Sequence, residues 1–170
     1  MSVDQQHLSL SSRIPPSRAP RPRQTRVPAP AAEYVHTRLL KQTRRAAATL
    51  SRLGVRPGER VGVLLPMCPE SVVTTMACGR MDALRVTLPW DGSALLLREA
   101  VQRSGAGVLV VADTGVRAGR RYAAKRTLDR ALADCPNVRS VLVVHQSGGP
   151  VPWTPGRDQW WHEALATLKA

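Results

Sequence analysis

Four short apolar runs, each followed by polar or helix-period sequence, constrain this chain more than anything else in it. They lie at 61–65 (VGVLL), 84–88 (LRVTL), 107–112 (GVLVVA) and 138–144 (VRSVLVV). Runs of this length with little polar alternation read as strands buried on both faces, as in a parallel sheet covered by helices. Helical patterns fill the intervals. Leu39, Leu40, Thr43, Ala46, Ala47, Leu50 and Leu53 recur at helical spacing, and Gly54 stands where a left-handed cap would end that helix. The turn Arg56-Pro57-Gly58-Glu59 leads into the first strand. A second helix is expected over 70–81, entered just after Pro69, and a third over 94–103, capped by Ser93. Leu128, Ala131 and Leu132 mark one side of a fourth, which ends before Pro136, and 158–168 reads as a terminal helix. Strands alternating with helices predict an α/β fold, a Rossmann-like parallel sheet flanked by helices.

The first 32 residues have a different character. Six of the 14 prolines lie in the first 30, with five Arg and one acid. Such a segment has too little apolar surface to offset the entropy of ordering. The expected division is therefore a disordered Pro/Arg-rich tail at 1–32 and a folded domain at 33–170. Pro15, Pro16, Pro20 and Pro22 oppose the amphipathic helix of a mitochondrial presequence, and there is no secretory apolar core, so a cytoplasmic location is expected. No stretch approaches the ~20 apolar residues of a membrane span. Cys68, Cys78 and Cys135 are an odd, widely spaced set that forms neither a disulfide framework nor a zinc ribbon.

The chain carries 25 Lys+Arg against 12 Asp+Glu, a net charge of +13. Of the cations 22 are Arg, a bias that coding composition alone can produce. Their placement is more informative than their number. Residues 117–130 hold Arg117, Arg120, Arg121, Lys125, Arg126 and Arg130 against Asp129 alone. This segment follows directly on the strand at 107–112, and ligands of open α/β sheets sit beyond the carboxyl ends of strands. Gly115 and Gly119 let backbone approach an anion closely, and Arg117 and Arg120 can converge planar donor forks on one phosphate. On the residues alone, an anion-binding loop and a solvated basic loop both fit.

Other phosphate, metal and catalytic patterns fail on spacing. Gly105-Ala106-Gly107 precedes a strand where a dinucleotide fingerprint must follow one, and Gly115 to Gly119 lacks the Walker spacing. His162-Glu163 has no second His four residues after the first. His36, His145 and His162 are isolated in sequence, so a solvated or core role is expected for each, and no catalytic residue or metal ligand is assigned.

Longer strings carry a family resemblance. LGVRPGERVGVLLPMCPESVV at 53–73, VVADTGVRAGR at 110–120, LDRALADCPNVRSVLVVHQSGG at 128–149 and PWTPGRDQWWHEAL at 152–165 together resemble the AMP-forming acetyl-coenzyme A synthetases, acetate–CoA ligases within the adenylate-forming superfamily. The resemblance runs from about residue 36 almost to the C-terminus, and the Gly-Arg-Asp string with paired Trp and His is its most specific part. It implies part of a large N-terminal ligase domain. It also implies that Arg117, Ala118, Gly119 and Arg120 contact coenzyme A at its phosphorylated adenosine end. Lys125 matches a family Lys and receives no chemical role; Trp160 and Trp161 are expected to pack the last helix on the sheet.

The family reaction converts acetate, ATP and coenzyme A to acetyl-CoA, AMP and diphosphate, with ATP and Mg belonging to the complete enzyme. The Pro-Lys-Gly-ended phosphate loop, the acetate pocket and the mobile C-terminal domain do not occur in this sequence. The chain is thus expected to be an N-terminal segment of the ligase, whether a truncated or split gene product or a domain excerpt, inactive alone and with coenzyme A as its ligand; in the split case a companion chain supplies the rest. Alternatives are a non-catalytic coenzyme A-binding or regulatory module and a basic polyanion-binding protein; few aromatics accompany the Arg residues, so no specific nucleic acid is expected. Two departures from the family pattern stand out. Asp82 occupies a family Gly position, which implies that steric relief is no longer needed there or that the backbone has rearranged, and Leu88-Pro89-Trp90-Asp91-Gly92 replaces a Gly-Gly-Phe loop.

Overall fold

A computed structural model describes residues 29–167 apart from 90, 91, 118 and 148, with side chains from residue 35 onward except that of Arg117. The expected tail lies outside the described residues up to position 28. Helix α1 (Ala29–Arg52) begins earlier than the sequence periodicity suggested, so residues 29–32 are helical. Pro30 does not prevent this, because the first helical turn has no use for its missing N–H.

The remaining elements follow the expected alternation. They are β1 (Arg60–Leu64), α2 (Pro69–Arg80), β2 (Leu84–Thr87), α3 (Ala94–Ser104), β3 (Val108–Ala112), β4 (Gly115–Arg117), β5 (Arg120–Tyr122), α4 (Ala124–Leu132), β6 (Ser140–Val144), β7 (Asp158–Trp160) and α5 (Trp161–Ala166). Five strands form one parallel sheet in the order β2-β1-β3-β6-β7, and β4 and β5 form a separate antiparallel pair. Among the described residues no helix is long and apolar enough to cross a membrane.

Strand periodicity divides the core into two layers. Val61, Val63, Val108, Val110, Leu142 and Val144 face α1, α2 and α5, where they meet Leu50, Val73, Ala77 and Trp161. The alternate residues Leu64, Leu109, Val111, Val141 and Val143 face α3 and α4, against Leu97, Val101, Leu128 and Ala131. Every residue of β3 and β6 is buried, as a strand covered on both sides requires.

Local signals set the ends of several elements. Gly54 has φ +84, and the Val55 amide reaches back to the Leu50 carbonyl at 3.0 Å, closing α1 through a left-handed residue. The Ser93 hydroxyl accepts the Leu96 N–H and starts α3. Arg139 ties the amino end of β6 to the end of α1 by donating to the carbonyls of Leu53 and Gly54, each at 2.9 Å. A cation at that place also meets the negative end of the helix dipole. Gly107 makes the fit possible, since a Cβ there would run into the Arg139 guanidinium.

Two expectations need correction. Residues 158–160 are not helical: they form β7, which pairs with β6, and the terminal helix begins only at Trp161. The cause is the anchoring of Asp158 described below. Asp82 has φ +55, the single positive value for a non-glycine among the described residues. The turn therefore still uses the left-handed region. Gly58 donates to the Asp82 carbonyl at 2.7 Å, holding a conformation that Asp tolerates better than most side chains do.

Candidate functional site: an arginine hairpin at the carboxyl end of the sheet

The chain leaving β3 does not remain an irregular loop. It forms the hairpin β4–β5, with Gly115 opposite Tyr122, Val116 opposite Arg121 and Arg117 opposite Arg120. Between the paired Arg117 and Arg120, Gly119 has φ +75, which a side chain would strain. A Cβ built at Gly119 would have no atom within 4 Å, so the tip faces open space. Of the four residues expected at the site, Arg117 and Arg120 are brought into direct register, and Gly119 adjoins them. Ala118 lies outside the described residues.

Asp113 fixes the root of this hairpin. Its carboxylate is 1% exposed and accepts hydrogen bonds from the Thr114 amide at 2.6 Å, the Thr114 hydroxyl at 3.1 Å, the Gln146 amide at 3.0 Å and the Ser147 amide at 3.3 Å. The Ser147 hydroxyl lies 2.9 Å from that of Thr114, placed to donate to it. The segments leaving β3 and β6 are thereby tied together, and the hairpin projects from a rigid base. His145 Nδ1 lies 3.4 Å from the same carboxylate.

A second charged cluster lies between α4 and β7. Lys125 is fully buried, and its Nζ donates to both Asp129 oxygens at 2.7 and 2.8 Å, to Asp158 Oδ2 at 2.7 Å and to the Pro152 carbonyl at 3.2 Å. Arg157 joins the same carboxylates, donating through Nε to Asp158 at 2.7 Å and through Nη2 to Asp129 at 2.6 Å. Two cations thus meet two anions, and every charge has hydrogen-bond partners. Burial by itself would push the Asp158 carboxyl up, but hydrogen bonds from Arg157, Lys125 and the Thr154 amide outweigh it and hold it below the usual carboxylate value. Burial would likewise lower Arg157, and the two aspartates more than offset it, so its pKa is raised.

This cluster explains β7. Asp158 must lie beside Lys125 while the Val141 amide takes the Arg157 carbonyl, which keeps the backbone extended on the sheet edge. Lys125 consequently adds little free positive charge to the hairpin, despite its place in the basic segment. Trp161 is buried in the core beneath α5, as expected, whereas Trp160 packs against Trp153 at a centroid distance of 5.0 Å and edge-on to His145 at 5.5 Å. Sequence reasoning gave Asp113 and Asp158 no role; beside near neighbours such as Thr114 and Arg157, each binds a partner 33 residues away, Gln146 and Lys125, which leaves no local pattern.

The architecture and the hairpin can be set beside known proteins. The family model described as AMP-binding enzyme matches residues 19–169. The chain belongs to the AMP-binding enzyme family. It is 40% identical over 136 residues to an acetyl-coenzyme A synthetase of Coprinopsis cinerea, a match covering 80% of this chain and 21% of that protein. It is 41% identical over 128 residues to the acetyl-coenzyme A synthetase of Halorhodospira halophila, covering 75% and 20%. Among solved structures, acetoacetyl-CoA synthetase from Streptomyces lividans superposes with a TM-score of 0.65 at 28% identity, over 75% of this chain and 19% of that one. The chain therefore spans about a fifth of the length of the relatives it matches. These likenesses agree with the family resemblance and the α/β architecture read from the sequence.

Proposed function

We propose that this chain is the coenzyme A-contacting portion of an acetyl-CoA synthetase-like, adenylate-forming enzyme, and that Arg117, Ala118, Gly119 and Arg120 hold the phosphorylated adenosine end of coenzyme A. The observation that carries the reading is the register of Arg117 with Arg120. Directly opposed positions of an antiparallel pair place Cβ atoms roughly 4.5–5.5 Å apart, and like charges set so are destabilising. A dianionic phosphate between them converts that repulsion into two charge-assisted contacts. Arg120 is exposed, and among the described residues neither it nor Arg121 has an ion-pair partner, so the donors remain available.

In this reading the complete enzyme joins acetate to ATP, with Mg, and passes the acetyl group to coenzyme A in the cytoplasm. No residue of this chain is assigned to ATP or Mg. The remaining chemistry lies outside these 170 residues, and this segment alone is inactive. Two arginine contacts contribute roughly 1.5–3 kcal/mol each. A millimolar dissociation constant corresponds to about 4.1 kcal/mol, so the isolated affinity falls near millimolar once ordering costs are met. The test is calorimetric titration of coenzyme A into the purified chain, alongside an assay for acetate-dependent AMP release. Near-millimolar binding that is lost in Arg117→Ala/Arg120→Ala, without turnover, is expected; robust AMP release or binding indifferent to both substitutions would overturn it.

A further inference from the structure

The β4–β5 hairpin has little of its own to keep it in shape. Its strands have three residues each, and a two-stranded pair in isolation is at best marginally stable in water. Val116, Arg120 and Arg121 are exposed, while Tyr122 is half-buried against the layer of α3 and α4. The order of the hairpin must therefore come from where its two legs are attached. Both legs meet at one residue. The outgoing leg leaves β3 at Asp113, and the returning leg enters α4, where the Lys125 amide donates to the Asp113 carbonyl at 3.3 Å. The Asp113 amide in turn donates to the Val144 carbonyl at 2.9 Å.

The carboxylate completes the attachment, and its two oxygens reach different segments. Oδ1 accepts from the amide and hydroxyl of Thr114, the first residue of the outgoing leg, and from the Gln146 amide beyond β6. Oδ2 accepts from the Ser147 amide at 3.3 Å, and His145 Nδ1 lies 3.4 Å away. A carboxylate offers acceptors at both oxygens, whereas the isosteric amide of Asn offers one acceptor and turns donors toward whatever faces the other position. Backbone N–H groups face both oxygens here, so an ionised side chain fits and a neutral amide does not. An ionised group buried this deeply is tolerated only where such donors are held in place, and it fixes them in turn.

We infer that Asp113 is a positioning residue: it touches no ligand itself, but by pinning both legs of the hairpin it presents the opposed Arg117 and Arg120 as one preorganised clamp, and thereby sets the preference for a 3′-phosphorylated nucleotide end. This role rests on the coenzyme A reading given above. Two like charges in register would splay if the hairpin were free, and each binding event would then have to order them. That penalty falls on the one contact that needs both guanidinium groups together, the 3′-phosphate, and far less on the rest of coenzyme A.

The test is an NMR titration of the full chain with coenzyme A and with 3′-dephospho-coenzyme A, in wild type and variants, with thermal melting to establish that each variant folds. Asp113→Asn should reduce the preference for coenzyme A by about fivefold or more, with backbone order parameters over 115–122 falling and those of β3 and β6 unchanged. Thr114→Val removes one donor to the same carboxylate and keeps its charge; it should reduce the preference about twofold, and it carries the test if Asp113→Asn does not fold. Thr49→Val, which removes a buried hydrogen bond from α1 to the Ala164 carbonyl of α5, lowers stability away from the hairpin and should leave the preference unchanged. A wild-type chain that binds both ligands alike would sink the coenzyme A reading and this role with it. A wild-type preference that survives undiminished in the folded variants at 113 and 114, or a loss of affinity that is equal for the two ligands, would overturn the positioning role alone.

Discussion

The same sequence segment, 117–130, supplies cations to two regions that treat charge in opposite ways. In the cluster of Lys125, Asp129, Arg157 and Asp158, each cation is buried or nearly so and meets two carboxylates. In the β4–β5 hairpin, Arg120 and Arg121 are exposed and have no ion-pair partner among the described residues. Desolvation explains the difference. A charge withdrawn from water is tolerated only when hydrogen-bonded counter-charges replace the solvent, whereas an exposed cation keeps its hydration and stays free for an external anion. Charge counting along the chain treats Lys125 and Arg120 alike; the fold buries one to hold the sheet edge and leaves the other exposed.

The largest effect should come from Asp158→Asn. It leaves Lys125 and Arg157 short of one buried counter-charge, and breaking such an arrangement costs about 3–5 kcal/mol. Urea denaturation measures this, and a loss below about 1 kcal/mol would break the comparison at its structural side. Acid acts on the same residue. Because the folded-state pKa of Asp158 lies below its unfolded value of about 3.9, its contribution is fully present above that value and is lost as pH falls through the lower, folded pKa. Wild-type stability should therefore decline below about pH 4 more steeply than that of Asp158→Asn. Asp129→Asn should cost less, about 1.5–3 kcal/mol from the weakened charged hydrogen bonds, because its side chain is 22% exposed and water can substitute. Arg120→Ala should have the smallest effect, within about 0.5 kcal/mol and toward greater stability, since it relieves a like-charge pair.

Much of the fold was readable because its signals are local. Ser93 and the apolar positions after it specify α3, Gly54 ends α1, and continuous apolar residues mark β3 and β6. The hairpin was less legible because its strands have three residues each and carry Arg and Gly in place of an apolar alternation. Strand β7 was hidden for another reason. Its conformation comes from Asp158 reaching Lys125, 33 residues away, which overrides the helical preference of the sequence that follows. The start of α1 was masked by Pro30, which the first helical turn accepts. Of the candidate site, the clustered Arg residues and the two glycines after the strand were legible in the sequence, but the pairing of 117 with 120 required the register.

The most direct test compares coenzyme A with 3′-dephospho-coenzyme A by calorimetry on the wild-type chain and on Arg120→Ala. If the hairpin was built for the phosphate on the ribose, removing that phosphate should weaken wild-type binding by about 10–100-fold, the equivalent of one charged contact of roughly 1.5–3 kcal/mol. In Arg120→Ala the two ligands should bind almost alike. Equal affinities for both ligands in the wild-type chain, or an undiminished preference in the variant, would contradict the account.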